Sequence, residues 1–71
     1  MQEKFAMLAL GKLIQARRED LGLSYTKLYK LANIDIRTLR AIEAGTHNLS
    51  LQRTFKLLQI LKLDIKFSKI D

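Results

Sequence analysis

The chain has 71 residues, a formal net charge of +6, and neither cysteine nor proline. A length of this kind makes one domain with a small core, which calls for a staple or a partner, and the lack of cysteine rules out disulfides and thiolate metal sites as the staple. With 48% hydrophobic and 28% charged residues the chain is not disordered, and its basic excess points to a polyanion, either nucleic acid or an anionic membrane surface.

No apolar run reaches the roughly 18 residues of a membrane span. Met1 to Lys12 lacks the basic flank and long apolar core of a signal peptide, so a cytoplasmic location is expected. The first helix is predicted over about 6–21, where Leu10, Leu13, Ile14, the Arg17 stem and Leu21 recur at helical spacing. Gly22 ends it. Gly11 lies inside the pattern and weakens the helix by about 1 kcal/mol relative to alanine. Residues 2–9 either extend this helix backward or form a separate arm.

Ser24 is a good N-cap for a second helix over 25–32, with Tyr25, Leu28, Tyr29 and Ala32 as its apolar stripe. Asn33 tolerates positive φ and marks a tight turn. Asp35 caps a third helix over 36–44, with Leu39 and Ile42 on its inner face and Gly45 at its end. After the polar loop Thr46–His47–Asn48, Ser50 caps a fourth helix over 51–61, with Leu51, Phe55, Leu58 and Leu61 facing inward. The period then changes. Leu63, Ile65, Phe67 and Ile70 alternate with polar residues, which predicts a strand over 63–70. A lone strand needs a pairing partner, and the simplest is the same strand of a second copy across a two-fold axis. A fraying tail is the alternative.

Catalysis is not expected. One histidine and no cysteine exclude most nucleophile–base pairs and zinc sites, and no glycine-rich phosphate loop is present. Glu19 and Asp20 are adjacent and point to different sides of a helix, so they form no facing carboxylate pair. No cofactor is implied. The segment Ser24–Gly45 instead meets the needs of a unit that lays its second helix in the major groove of DNA: two short helices, a permissive turn residue and an outward polar face.

The stretches LGKLIQARREDLGLS, LYKLANIDIRTLRAIEAG and LSLQRTFKLLQILKLDIKF resemble the Cro/Xre-type helix-turn-helix repressors, and the tail LQILKLDIKF is similar to antitoxin subunits of Hip-type toxin–antitoxin systems. The resemblance implies an all-α, lambda-repressor-like bundle of four helices with a C-terminal strand at a dimer interface, formed by Leu63, Ile65, Phe67 and Ile70. It implies a homodimer on double-stranded operator DNA, and a toxin partner in the form of a Hip-type kinase. An ion pair between Arg18 and Glu43 is expected from the same resemblance. Base-reading positions fall on Ile36, Arg37, Thr38 and Ala41, and the outward Arg40 either reads a base with them or holds a phosphate. Phosphate contacts are expected from Ser24, Tyr25, Lys27, Thr46, His47, Asn48 and Arg53, at the start of the second helix and in and after the loop that follows the third.

The sequence departs from the family where Tyr25 replaces a common Gln, Tyr29 a small Ala, Asn33 and Lys62 a Gly, and Ile36 a polar reader. At Tyr29 either the helix crossing opens or the ring turns outward. A protein-binding module is the competing expectation, since Leu31, Phe5, Met7 and Leu8 fall outside the expected core. Binding to a membrane surface fits the capped, multi-helix pattern less well.

Overall fold

The computed structural model describes residues 2–64 together with Lys66 and Lys69. They form four helices: α1 (Gln2–Asp20), α2 (Tyr25–Ala32), α3 (Ile36–Glu43) and α4 (Leu51–Ile60). Residues 2–9 extend α1 rather than form an arm. α3 and α4 each end one residue before the expected limit, with Ala44 and Leu61 as their C-caps.

Among the described residues there is no strand. After α4, Lys62 turns left-handed at φ 57°. The Lys62 N–H then donates to Gln59 O at 3.0 Å and the Leu63 N–H to Leu58 O at 2.8 Å. This is a Schellman closure, in which the chain doubles back on the last turn of the helix. The amide of Leu63 is therefore bonded to α4 and cannot start a ladder, and Leu63 itself packs half-buried against the core. Ile65, Phe67 and Ile70 lie outside the described residues.

The core joins all four helices. Ile14 comes from α1, Leu28 and Ala32 from α2, Ile34 from the turn, Leu39 and Ile42 from α3, and Leu57, Leu58 and Leu61 from α4 and its cap. The expected inward faces need correction at four positions. Leu51 is 69% exposed and Phe55 39%, while Leu13 and Tyr29 also face water. α4 carries two overlapping apolar stripes that share Leu58, and hydrophobic period alone cannot choose between them. The helix turns its Leu57–Leu61 stripe inward. Arg17 of α1 fastens that end, its Nε donating to Leu61 O at 2.9 Å, with its charge at the negative end of the helix dipole.

α1 crosses α3 at backbone contact. A Cβ on Gly11 would collide with the carbonyl oxygen of Ile42 and lie 2.5 Å from that of Glu43. At the other side of the crossing, Gly45 takes φ +76°, and a Cβ there would sit 2.8 Å from Leu8 Cα. Two glycines thus let α1 lie flat on the end of α3. Helix propensity alone favours Gly11→Ala by about 1 kcal/mol. The collision reverses the sign, and urea unfolding of Gly11→Ala is expected to show a net loss of about 1–3 kcal/mol; a gain would mean that the two helices separate without cost.

Candidate nucleic-acid interface

The segment Ser24–Gly45 is built from three local devices. Ser24 Oγ accepts from Lys27 N at 3.1 Å and starts α2. Asn33 closes α2 in the left-handed region, φ 55° and ψ 42°, with its N–H on Tyr29 O at 2.8 Å. Asp35 Oδ1 accepts from Thr38 N at 2.8 Å and starts α3. Between the two caps, buried Ile34 plugs the turn into the core. The Thr38 amide holds the Asp35 carboxyl below its ordinary value of 3.8.

α3 is a two-sided helix. Leu39, Ile42 and Glu43 are buried, while Arg37 and Ala44 are exposed on the opposite side beside half-exposed Ala41. At about 100° per residue, Arg37, Ala41 and Ala44 form the tip of that outer face. Arg40 lies about 60° from Arg37, toward Glu43, on the flank that meets α2. Half-buried Ile36 and Thr38 lie to either side.

Behind the tip sits a charged cluster. Arg18 Nε donates to Glu43 Oε2 at 2.7 Å and Nη2 to Oε1 at 3.4 Å. A third donor, Arg18 Nη1, bonds Leu23 O at 3.0 Å. The Tyr25 hydroxyl donates to Glu43 Oε1 at 2.7 Å. Both carboxylate oxygens are thus satisfied, and among the described residues no buried side-chain polar atom lacks a partner. The Glu43 hydrogen bond holds the Arg18 guanidinium above its already high value and pushes the Tyr25 phenol up. The Tyr25 ring lies under two guanidiniums, with Arg18 4.1 Å and Arg40 5.2 Å from its centroid.

The candidate phosphate ligands separate on this geometry. Ser24, Lys27, His47, Asn48 and Arg53 are exposed. Arg53 also reaches back to Asn33 O at 3.4 Å, so it lies along the turn between the helices. Thr46 is exposed as well, but both of its donors are engaged by Ala41 O, at 2.9 Å from the amide and 3.2 Å from the hydroxyl. The single hydroxyl proton of Tyr25 is engaged by Glu43. Tyr29, whose size put the α2–α3 packing in question, is outward, and Leu28 and Ala32 make the contact. Sequence reasoning missed the Arg40–Tyr25 stack and the capping role of Arg17; an aromatic residue at position 25, where arginines of two helices converge, was the available signal for the first.

Two short capped helices at an asparagine turn, the second with its outer face free and its inner flank locked, define a helix-turn-helix unit. The Cro/Xre-type helix-turn-helix family matches the chain over residues 14–67, and the chain belongs to that family. It is a DNA-binding regulator by that membership. A comparison with curated proteins finds no match. Among the described residues no helix is long and apolar enough to cross a membrane.

Removing Arg18 would leave the buried Glu43 side chain without its main partner. Arg18→Met is expected to lower unfolding free energy by about 3–5 kcal/mol, enough to leave a domain this small largely unfolded at 37 °C by circular dichroism. Asp35 gives a pH test. Its folded pKa lies below the unfolded one, so its contribution is present at neutral pH and lost as pH falls through the usual carboxylate range and below. Asp35→Asn keeps a capping oxygen without the charge; thermal unfolding from pH 7 to pH 2 should show a smaller acid-induced loss than wild type.

Proposed function

We propose that this protein is a sequence-specific transcriptional repressor that acts as a homodimer, is cytoplasmic, and catalyses no reaction. What supports it is the exposed Arg37–Ala41 tip of α3, backed by the Arg18–Glu43–Tyr25 cluster that fixes the helix orientation. Arg37 offers the planar fork that suits the O6 and N7 edge of guanine, Ile36 and Thr38 suit thymine methyls, and the small Ala41 permits close approach. The +6 charge supplies the sequence-independent attraction.

Two copies join through the tail beyond Leu63, where Ile65, Phe67 and Ile70 supply the apolar side chains for antiparallel pairing across a two-fold axis. Their recognition helices then enter successive major grooves about 34 Å apart on a palindromic operator. The tail's similarity to Hip-type antitoxins supports a finer assignment: the protein represses its own operon and holds a toxin, a kinase of the Hip type, inactive. Exposed Leu31, Phe5 and Leu8 offer apolar surface for such a partner.

The decisive experiment is a salt-dependent titration on DNA upstream of the protein's own reading frame and on a scrambled control. Wild type should prefer the upstream DNA, and Arg37→Ala should lose that preference at a cost of about 1–3 kcal/mol. A chain lacking residues 64–71 should be monomeric by analytical ultracentrifugation and bind the operator far more weakly. Equal, steeply salt-sensitive binding to both DNAs would point to generic charge and make protein binding the main role.

A further inference from the structure

The sequence leaves the outward Arg40 of the recognition helix open between reading a base and holding a phosphate. Its surroundings favour the second. We propose that Arg40 is a phosphate clamp positioned by Tyr25, so that α3 reads bases with its tip and grips the backbone with one flank; this rests on the DNA-binding reading above.

Three observations carry it. First, Arg40 lies on the side of α3 next to α2, between the Arg37 tip and the buried Glu43 (about 60° from each by helical period). A helix with its side chains is about 10–12 Å across and the major groove about 12 Å wide, so a helix in the groove meets bases at its tip and phosphates at its flanks. Second, the Arg40 guanidinium is 5.2 Å from the centroid of the Tyr25 ring. A guanidinium drawn back over an α2 ring is held away from the tip and beside the groove wall. Its face is used by the ring, and its N–H edges stay free for an anion. Third, the platform is itself anchored on both sides. The Tyr25 hydroxyl is tied to Glu43 at 2.7 Å, and the same ring is covered by Arg18 at 4.1 Å, which is buried and bonded to Glu43 and Leu23. Tyr25 does not touch DNA in this scheme. It acts as a positioning residue that orders a long flexible side chain before binding, which removes part of the entropic cost of the contact. With the Tyr25 hydroxyl given to Glu43, the phosphate contact expected of residue 25 passes to residue 40.

The test is a double-mutant cycle, with affinities measured against salt on the upstream DNA and on the scrambled control. Arg40→Ala is expected to weaken both DNAs by the same factor and to reduce the salt slope by about one unit. Tyr25→Leu should weaken binding in the same uniform way, Tyr25→Phe should restore most of it by keeping the ring, and Tyr25→Leu should cost little once Arg40 is alanine. A merely structural Tyr25 would keep its full penalty in the Arg40→Ala background, and that result overturns the proposal. So does a loss in Arg40→Ala confined to the upstream DNA, which would make Arg40 a base reader. If Tyr25→Leu fails to fold, Arg40→Ala and Tyr25→Phe decide the matter alone. Failure of the repressor reading looks different: wild type and Arg37→Ala would then treat the two DNAs alike, while a uniform, slope-reducing effect of Arg40→Ala would still support the clamp.

Discussion

Glu43 is a carboxylate removed from water on the inner flank of the recognition helix, and much of the fold is arranged to satisfy its two oxygens. Arg18 reaches it from α1 with two donors and Tyr25 from α2 with one. A buried charge left unpaired costs several kcal/mol, whereas the paired state is close to neutral against an apolar substitute. The cluster is therefore better understood as a constraint on geometry than as a source of net stability. It admits one rotation of α3 about its own axis. That rotation presents Arg37 and Ala41 to the outside and leaves Arg40 over the tyrosine ring.

The same helix is held from the backbone side by close approach. Gly11 and Gly45 bring α1 against the end of α3 at distances where a single methyl group would collide. Charge pairing and close backbone packing thus act on one junction from two directions. For a domain with only nine buried apolar side chains among the described residues, concentrating the constraints at one crossing is an efficient way to fix the orientation of a binding element. The rest of the scaffold is closed by local means: serine and aspartate caps at helix starts, left-handed residues at helix ends, and Arg17 on the last carbonyl of the core.

Much of this was legible in the sequence, because the signals are local. Ser24, Asp35 and Ser50 bond amides three residues ahead of themselves, so their cap roles follow from residue type and position alone. Asn33 tolerates the left-handed turn for reasons internal to its own side chain. The inner face of α3 followed from the spacing of Leu39 and Ile42. Where a helix carried more apolar residues than it could bury, the sequence was ambiguous. In α4 the expected stripe was Leu51, Phe55, Leu58 and Leu61; packing kept Leu58 and Leu61, added Leu57, and left Leu51 and Phe55 outside. Gly11 is the sharpest case, since propensity marks it as a weakness while the crossing makes it a requirement.

The candidate site divides in the same way. Composition, capping and period determined that a short basic chain carries a second helix with an outward polar face, because each of these depends on neighbours within a turn. The pairing of Arg18 with Glu43 came from family resemblance, as no local rule links residues on different helices. Tertiary structure alone decided that Tyr25 gives its hydroxyl to Glu43, that Tyr29 turns outward, and that Arg40 rests on a ring from α2. The physical reason is common to all three: each depends on how far one helix stands from another and at what rotation, and those quantities are set by side chains remote in sequence that must fill one shared volume.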